Sequence, residues 1–213
     1  YGVPAHQITD GTTSVTIDGA RGPLKVFGNH NLLNLNAAFY ACRELGLNGA
    51  DYVASMADFT GASKRLELLA GSETTNVYRD FAHAPSKVKA TIDAVKEQYP
   101  DRRLIALLEL HTYSSLNEQF MSEYNGVMNK ADEAAVFYSR HALELKRMPD
   151  LPVAAVKNGF GKPGLQVFNT REELEGWLNA RQYQGANLLL MSSGNYDGLD
   201  MLTFAANASK NQL

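Results

Sequence analysis

Cysteine is almost missing: Cys42 alone occurs in 213 residues. One thiol excludes an intramolecular disulfide and fits a reducing compartment. Cys42 stands among Ala37, Ala38 and Ala41 in a helical pattern, the setting of a small core residue rather than a nucleophile. No apolar run nears the roughly 18 residues that a membrane-crossing helix needs, so a cytoplasmic location is the expectation. Positive charge is not in excess either. With 20 Lys and Arg against 23 Asp and Glu, the net charge of −3 gives no basic footprint for nucleic acid. Three motifs are absent as well. Without G-x-x-x-x-G-K-[ST] the chain cannot cradle a triphosphate in the P-loop manner. No Cys or His spacing suggests a zinc site, so no metal ligands are expected. No G-x-S-x-G marks a hydrolase nucleophile.

What is present is ordinary for a globular protein, at 45% hydrophobic and 20% charged residues. The length suits one large domain, or one domain with part of another. The chain opens at Tyr1 directly into strand-like sequence, and the expectation is a piece of a longer polypeptide.

Residues 1–28 read as three short strands. Thr9-Asp10-Gly11 and Asp18-Gly19 carry turn chemistry, Ser14-Val15-Thr16-Ile17 alternates, and 24–27 is the expected third strand. A helix is predicted from His30 or Asn31, with asparagine as its cap, to Gly46, and a second over 49–57. From about Lys64 strands and helices alternate. Strands are expected at 66–70, 76–80, 104–108, 133–138, 165–168 and 187–191. Helices are expected at 85–99, with Pro85 in its first turn, and at 116–130, 171–181 and 198–206. Residues 139–165 read as irregular. The continuous apolar run Leu104-Ile105-Ala106-Leu107-Leu108 suits a parallel strand buried on both faces. The pattern predicts a Rossmann-like, doubly wound α/β domain over 64–213, with ligands at the carboxyl ends of its strands.

Those strand ends carry Phe81-Ala82-His83, then Glu109 with His111, Tyr113 and Ser114, then Ser192-Ser193-Gly194-Asn195. Their convergence on one edge is the strongest site signal in the pattern. Asn31 and Asn34, three apart, share a face of the first helical turn, where two carboxamides can read a purine edge. Helix capping by Asn31 with an incidental exposed Asn34 explains the spacing more simply. Arg65 is suited to clamp phosphate or ribose, or else is a solvated charge partnered by Glu67. Asp80 and His83 face a crevice, or cap the helix near Pro85. The loop from Glu109 to Ser115 is rich in donors and acceptors, and its plainer reading is a cap for the helix after Leu116.

In this order, the segments resemble the Mur ligase family of ATP-dependent amide-forming enzymes. Gly28-Asn29-His30-Asn31-x-x-Asn34-x-x-Ala37-Ala38 resembles the family's G-x-H-N-x-x-N-x-x-A-A. Phe59-x-Gly61-x-x-Lys64-Arg65-x-Glu67 is similar to its F-x-G-x-x-[RK]-R-x-E joint. Asp80-Phe81-Ala82-His83-x-Pro85 is similar to its D-[YF]-[AG]-H-H-P. The resemblance implies that residues 1–62 are the tail of a central ATP-binding domain, a strand-and-helix unit. Residues 63–213 would be the C-terminal, acceptor-binding domain. It also implies ATP and Mg²⁺ as cofactors, with the metal ligands mostly outside these residues. Asn31, Asn34, Arg65 and Asp80 would then serve the nucleotide. His83, His111, Tyr113, Ser114, Ser192, Ser193, Gly194 and Asn195 would serve the acceptor.

The implied reaction phosphorylates a carboxylate, and an amine then attacks the acyl phosphate. Lacking a P-loop, these residues alone are expected to be inert. The Asp80-Phe81-Ala82-His83 variant and Met191-Ser192-Ser193-Gly194 look most like the family's peptide-adding branch. That branch joins L-Ala-γ-D-Glu-meso-diaminopimelate to UDP-N-acetylmuramate. His111-x-Tyr113-Ser114 is instead similar to the H-R-Y-S-R loop of the L-alanine-adding branch. Both arginines of that loop are replaced, by Thr112 and Ser115. The alternatives are the alanine-adding ligase and a peptide- or small-molecule-binding module without chemistry of its own. A folylpolyglutamate synthetase relative fits less well, since that branch lacks the His-x-Tyr-Ser loop.

Overall fold

The computed structural model describes residues 1–210. Three antiparallel strands open the chain: β1 (Ala5–Thr9), β2 (Thr12–Ile17) and β3 (Ala20–Leu24). Asp18 and Gly19 both take positive φ, 49° and 77°, so Ile17 pairs directly with Ala20. That tight turn starts the third strand four residues before the expected 24–27. Val26 and Phe27 leave the sheet and are buried instead.

Helix α1 (Asn29–Glu44) and helix α2 (Gly49–Met56) pack on these strands over Val15, Ile17, Leu32, Leu35 and Phe39. The α1 cap is Gly28, not an asparagine: Asn31 Nδ2 donates back to Phe27 O at 3.0 Å. Gly46 has φ 91°, the left-handed helix end expected there.

The remaining strands are β4 (Glu67–Gly71), β5 (Asn76–Asp80), β6 (Arg103–Glu109), β7 (Glu133–Phe137), β8 (Gln166–Phe168) and β9 (Ala186–Met191). They form one sheet in the order β4-β5-β9-β6-β7-β8, parallel except for β4 at the edge. Helix α3 (Pro85–Gln98) leads from β5 to β6, and β9 later fills the gap between them. Alternate β6 residues divide the core. Leu104, Ala106 and Leu108 face α3, while Ile105 and Leu107 face α6 (Arg171–Asn179) and α7 (Met201–Ser209). Helices therefore cover both faces, as the doubly wound reading requires.

Three further expectations change. The helix expected over 116–130 is a 3-10 segment, Glu118–Tyr124, followed by turns. Asn117 caps its start through Gln119 N, and Gly126 N bonds across to Phe160 O rather than along the chain. The stretch 139–165 holds two helices, α4 (Arg140–Leu145) and α5 (Val153–Phe160), capped at their starts by Ser139 and Pro152. The last helix begins at Met201 because Asp200 caps it by accepting from Thr203 N. Among the described residues, no helix is long and apolar enough to cross a membrane.

Two units thus meet along α3. Thr13 Oγ1 donates to Gln98 Oε1 at 2.7 Å, and Gln98 Nε2 donates to Gly11 O at 2.6 Å. Phe27 stacks edge-on against Tyr78 and Tyr99 and belongs to the α3-side core. A Cβ on Gly28 would lie 2.6 Å from Ala94 Cβ, so a side chain there would push the units apart.

Candidate functional site

Between α1 and α3, roofed by the 59–65 connection and floored by the end of β5, lies a cavity of about 830 Å³. Its lining takes residues from each segment that the resemblance assigns to the nucleotide: Asn31 and Asn34 from α1, Arg65 from the connection and Asp80 from β5. His30 in the first turn of α1 and Lys87 in that of α3 join them. Leu33, Leu35, Met56 and Phe59 add apolar wall. The first turns of two long helices opening on one cavity favour an anion there.

Arg65 is free for a ligand because of its neighbour. The plainer reading gave it Glu67 as a partner, but Glu67 Oε2 accepts instead from Arg79 Nη2 at 2.7 Å and from Lys64 N at 2.7 Å. Those contacts hold the Glu67 carboxyl below its ordinary range against the opposing effect of burial. The Arg65 guanidinium lies 5.6 Å from the Phe81 ring centroid and, like Lys87, has no carboxylate partner among the described residues.

Asp80 is buried and already engaged: Oδ2 accepts from Leu66 N at 2.6 Å and Oδ1 from Ala82 N at 2.7 Å. Its carboxylate ties the connection to the end of β5, and it does not cap α3, whose cap is Ala84. Burial lowers the pKa of the half-buried His30 imidazole. Asp80 opposes that shift, and Lys87 and Arg65 add to it. The cavity thus pairs carboxamides and apolar wall with unpaired cations, a chemistry suited to a base at one end and phosphates at the other.

The second set of residues is brought together only in part. Glu109 is buried at the end of β6, where Oε2 accepts from Tyr196 N at 2.9 Å and from the Ser192 hydroxyl. Gly194 N donates to Ser192 Oγ at 2.7 Å, and His111 Nδ1 lies 3.7 Å from Glu109 Oε1. A Cβ on Gly194 would fall 2.8 Å from Glu109 Oε2 and 2.9 Å from the His111 ring. Only glycine lets these two loops close. Tyr196, fully buried, donates its hydroxyl to Met191 O at 2.8 Å, and burial together with Glu109 pushes its pKa well above the usual phenol range.

The others stand apart. His83 Nδ1 bonds Phe81 O at 2.9 Å, and Asn195 Oδ1 accepts from Gly198 N at 3.2 Å. Ser114 Oγ sits 3.2 Å from Thr112 Oγ1, while Tyr113 leans out toward α4. Ser193 Oγ is buried without a hydrogen-bond partner among the described residues.

Sequence reading missed His30, Lys87 and the organising role of Glu109. His30 stood inside the quoted motif, and Lys87 sits two residues after Pro85 in a predicted first turn. Both were visible as first-turn residues of helices that meet. Among the described residues, no group of three or more His, Cys, Asp or Glu side chains is placed to hold a metal ion.

Residues 64–194 match the family model described as Mur ligase, glutamate ligase domain. The UDP-N-acetylmuramate–L-alanine ligase of Chlorobium luteolum is 34% identical over 196 residues, covering 86% of this chain and 41% of that protein. The chain therefore spans less than half the length of this curated relative. A solved UDP-N-acetylmuramate-alanine ligase from Thermotoga maritima superposes with a TM-score of 0.68 at 16% identity. It covers 98% of this chain and 44% of the other. A murein peptide ligase from Psychrobacter arcticus 273-4 superposes with a TM-score of 0.56 at 20% identity, over 95% and 44%. These superpositions share the fold, and the family model covers most of the chain: the protein belongs to the Mur ligase family.

Proposed function

We propose that this chain is the nucleotide-clamping and acceptor-binding part of an ATP-dependent, ADP-forming ligase of peptidoglycan metabolism. Residues 1–62 complete the ATP-binding domain and 63–213 form the acceptor domain, with the crossing made where Gly61, Lys64 and Leu66 all take positive φ. The observation that carries the reading is the cavity itself. Asn31 and Asn34, Arg65, and Asp80, from three separate sequence segments, line one space with Lys87, and neither Arg65 nor Lys87 has a carboxylate partner among the described residues.

In this reading Asn31 and Asn34 present carboxamides to the adenine, and Arg65 with Lys87 holds the phosphates. Asp80 positions the connection that carries Arg65. ATP supplies the phosphoryl group that activates the carboxylate of UDP-N-acetylmuramate. On the acceptor side, the Glu109–His111–Ser192–Gly194 cluster orients the incoming amine substrate at the carboxyl edge of the sheet. Magnesium accompanies ATP, and this chain is assigned none of its ligands.

For the acceptor we favour the peptide L-Ala-γ-D-Glu-meso-diaminopimelate. Thr112 and Ser115, which replace the arginines of the alanine-adding loop, bond to each other: Thr112 N donates to Ser115 Oγ at 2.9 Å and Ser115 N to Thr112 Oγ1 at 3.2 Å. The loop offers no bidentate clamp for a free amino acid's carboxylate. Free L-alanine is the second reading, favoured by the name of the 34%-identical relative.

Calorimetric titration of ADP into the chain tests the first half. ADP should bind, and Arg65→Met should weaken it by about tenfold, the loss of one charge-assisted contact. Equal affinity in the two proteins would remove Arg65 from the site, and no binding to either would overturn the nucleotide reading.

A further inference from the structure

Tyr113 is 64% exposed, unusual for an aromatic on a loop that is otherwise tied down. The ties bracket it. Thr112 and Ser115 exchange backbone and hydroxyl hydrogen bonds on either side, so the loop holds the ring out rather than letting it swing. Over that ring, 4.9 Å from its centroid, stands Lys146 Nζ. Lys146 closes α4, whose start is fixed to the end of β7 by the Ser139 cap. Two adjacent parallel strands, β6 and β7, thus each extend a rigid arm, and the arms meet at the carboxyl edge of the sheet. Lys146 is half-buried, yet it has no carboxylate partner among the described residues. Glu144, two residues away, lies exposed beside His141, Asp150 is exposed four residues on, and Glu109 is buried beneath His111. A cation held on an aromatic face, partly desolvated and lacking a counterion, is prepared for an anion.

Resting on the acceptor reading above, we infer that Tyr113 and Lys146 form a carboxylate-binding subsite for the part of the acceptor remote from its reacting amine. Tyr113 is two residues beyond His111, at most about 7 Å along the chain. An amino acid carries its amine and carboxylate on one carbon and presents both to one group. A peptide with side-chain or terminal carboxylates reaches from the His111 cluster to Lys146. The ligand class is therefore an anionic peptide.

The test is calorimetric, using L-Ala-γ-D-Glu-meso-diaminopimelate, the same peptide with its carboxylates amidated, and ADP. Wild type, His111→Ala, Lys146→Met and Lys146→Arg are compared after circular dichroism shows equal folding. Lys146→Met should weaken the acid peptide by about tenfold, and Lys146→Arg should stay within about twofold. Amidation should weaken wild type but leave Lys146→Met unaffected, because each change removes the same contact. ADP affinity should not move. If Lys146→Met weakens ADP equally, the anion is a phosphate and the subsite is misassigned. If His111→Ala abolishes peptide binding while Lys146→Met leaves it intact, this inference alone fails. If wild type binds ADP but neither peptide, the acceptor reading fails and takes this one with it.

Discussion

His30 shows how a single side chain is set by its surroundings. Burial makes its charged form costly; Asp80 opposes that shift, and Lys87 and Arg65 add to it. The folded-state pKa therefore lies below the ordinary 6.5, and the unfolded chain binds the proton more readily. Stability from this group is present above pH 6.5 and is lost as pH falls from there through the folded pKa. Urea unfolding at pH 7.5 and at progressively lower pH, in wild type and His30→Gln, should show the wild type losing more stability. Matching slopes would mean that the ring is not shielded. A bound anion reverses the local balance. With ADP in the cavity the imidazole should titrate higher, and binding near pH 6.5 should take up protons. Arg65 follows the same logic of neighbours. Its availability depends on Arg79 taking Glu67, a cross-strand pairing between β4 and β5 that no linear spacing reveals.

At the scale of elements, the junction between β3 and α1 is set by one residue. Gly28 sits at φ 86° and would place a Cβ 2.6 Å from Ala94 on α3. Gly28→Ala combines left-handed strain with a clash, so a loss of about 1–3 kcal/mol is expected by denaturant unfolding. The substitution should also weaken ADP, because it displaces the helix that carries Asn31 and Asn34. An unchanged midpoint would show that α1 and α3 can separate freely.

The elements legible beforehand were those whose signal is local. Pro85 marked the start of α3, Gly46 the end of α1, and the apolar run 104–108 a strand buried on both faces. The departures over 116–130 and 139–165 share one cause. Over 116–130 the apolar residues recur as in a helix, but Met121 and Tyr124 are buried by α5, which the sequence hid in a stretch punctuated by proline and glycine. Site reading divides in the same way. Asn31, Asn34, Arg65 and Asp80 are grouped by a family pattern, and they line one cavity. The Tyr113–Lys146 contact joins loops 33 residues apart with no motif to announce it.

Across the whole molecule, the question is whether the two units unfold together. Phe27 belongs by sequence to the first unit, yet it is packed between Tyr78 and Tyr99 in the core of the second. Thr13 and Gln98 add a buried hydrogen bond across the same seam. A core shared in this way couples the units, so chemical denaturation followed by circular dichroism and by tyrosine fluorescence should give one coincident transition. Phe27→Ala removes the shared ring. It should cost about 3–5 kcal/mol if the units unfold as one. If the seam is what joins them, it should also split the transition, the 1–62 unit unfolding first because its own core is the smaller. A nucleotide spanning the cavity would oppose that split: at a hundred times its dissociation constant, ADP should return about 2.7 kcal/mol to any state in which both walls are in place. Phe27→Ala with ADP should then regain a single transition, whereas rescue of only the later phase would mean that the ligand is held by the 63–213 unit alone.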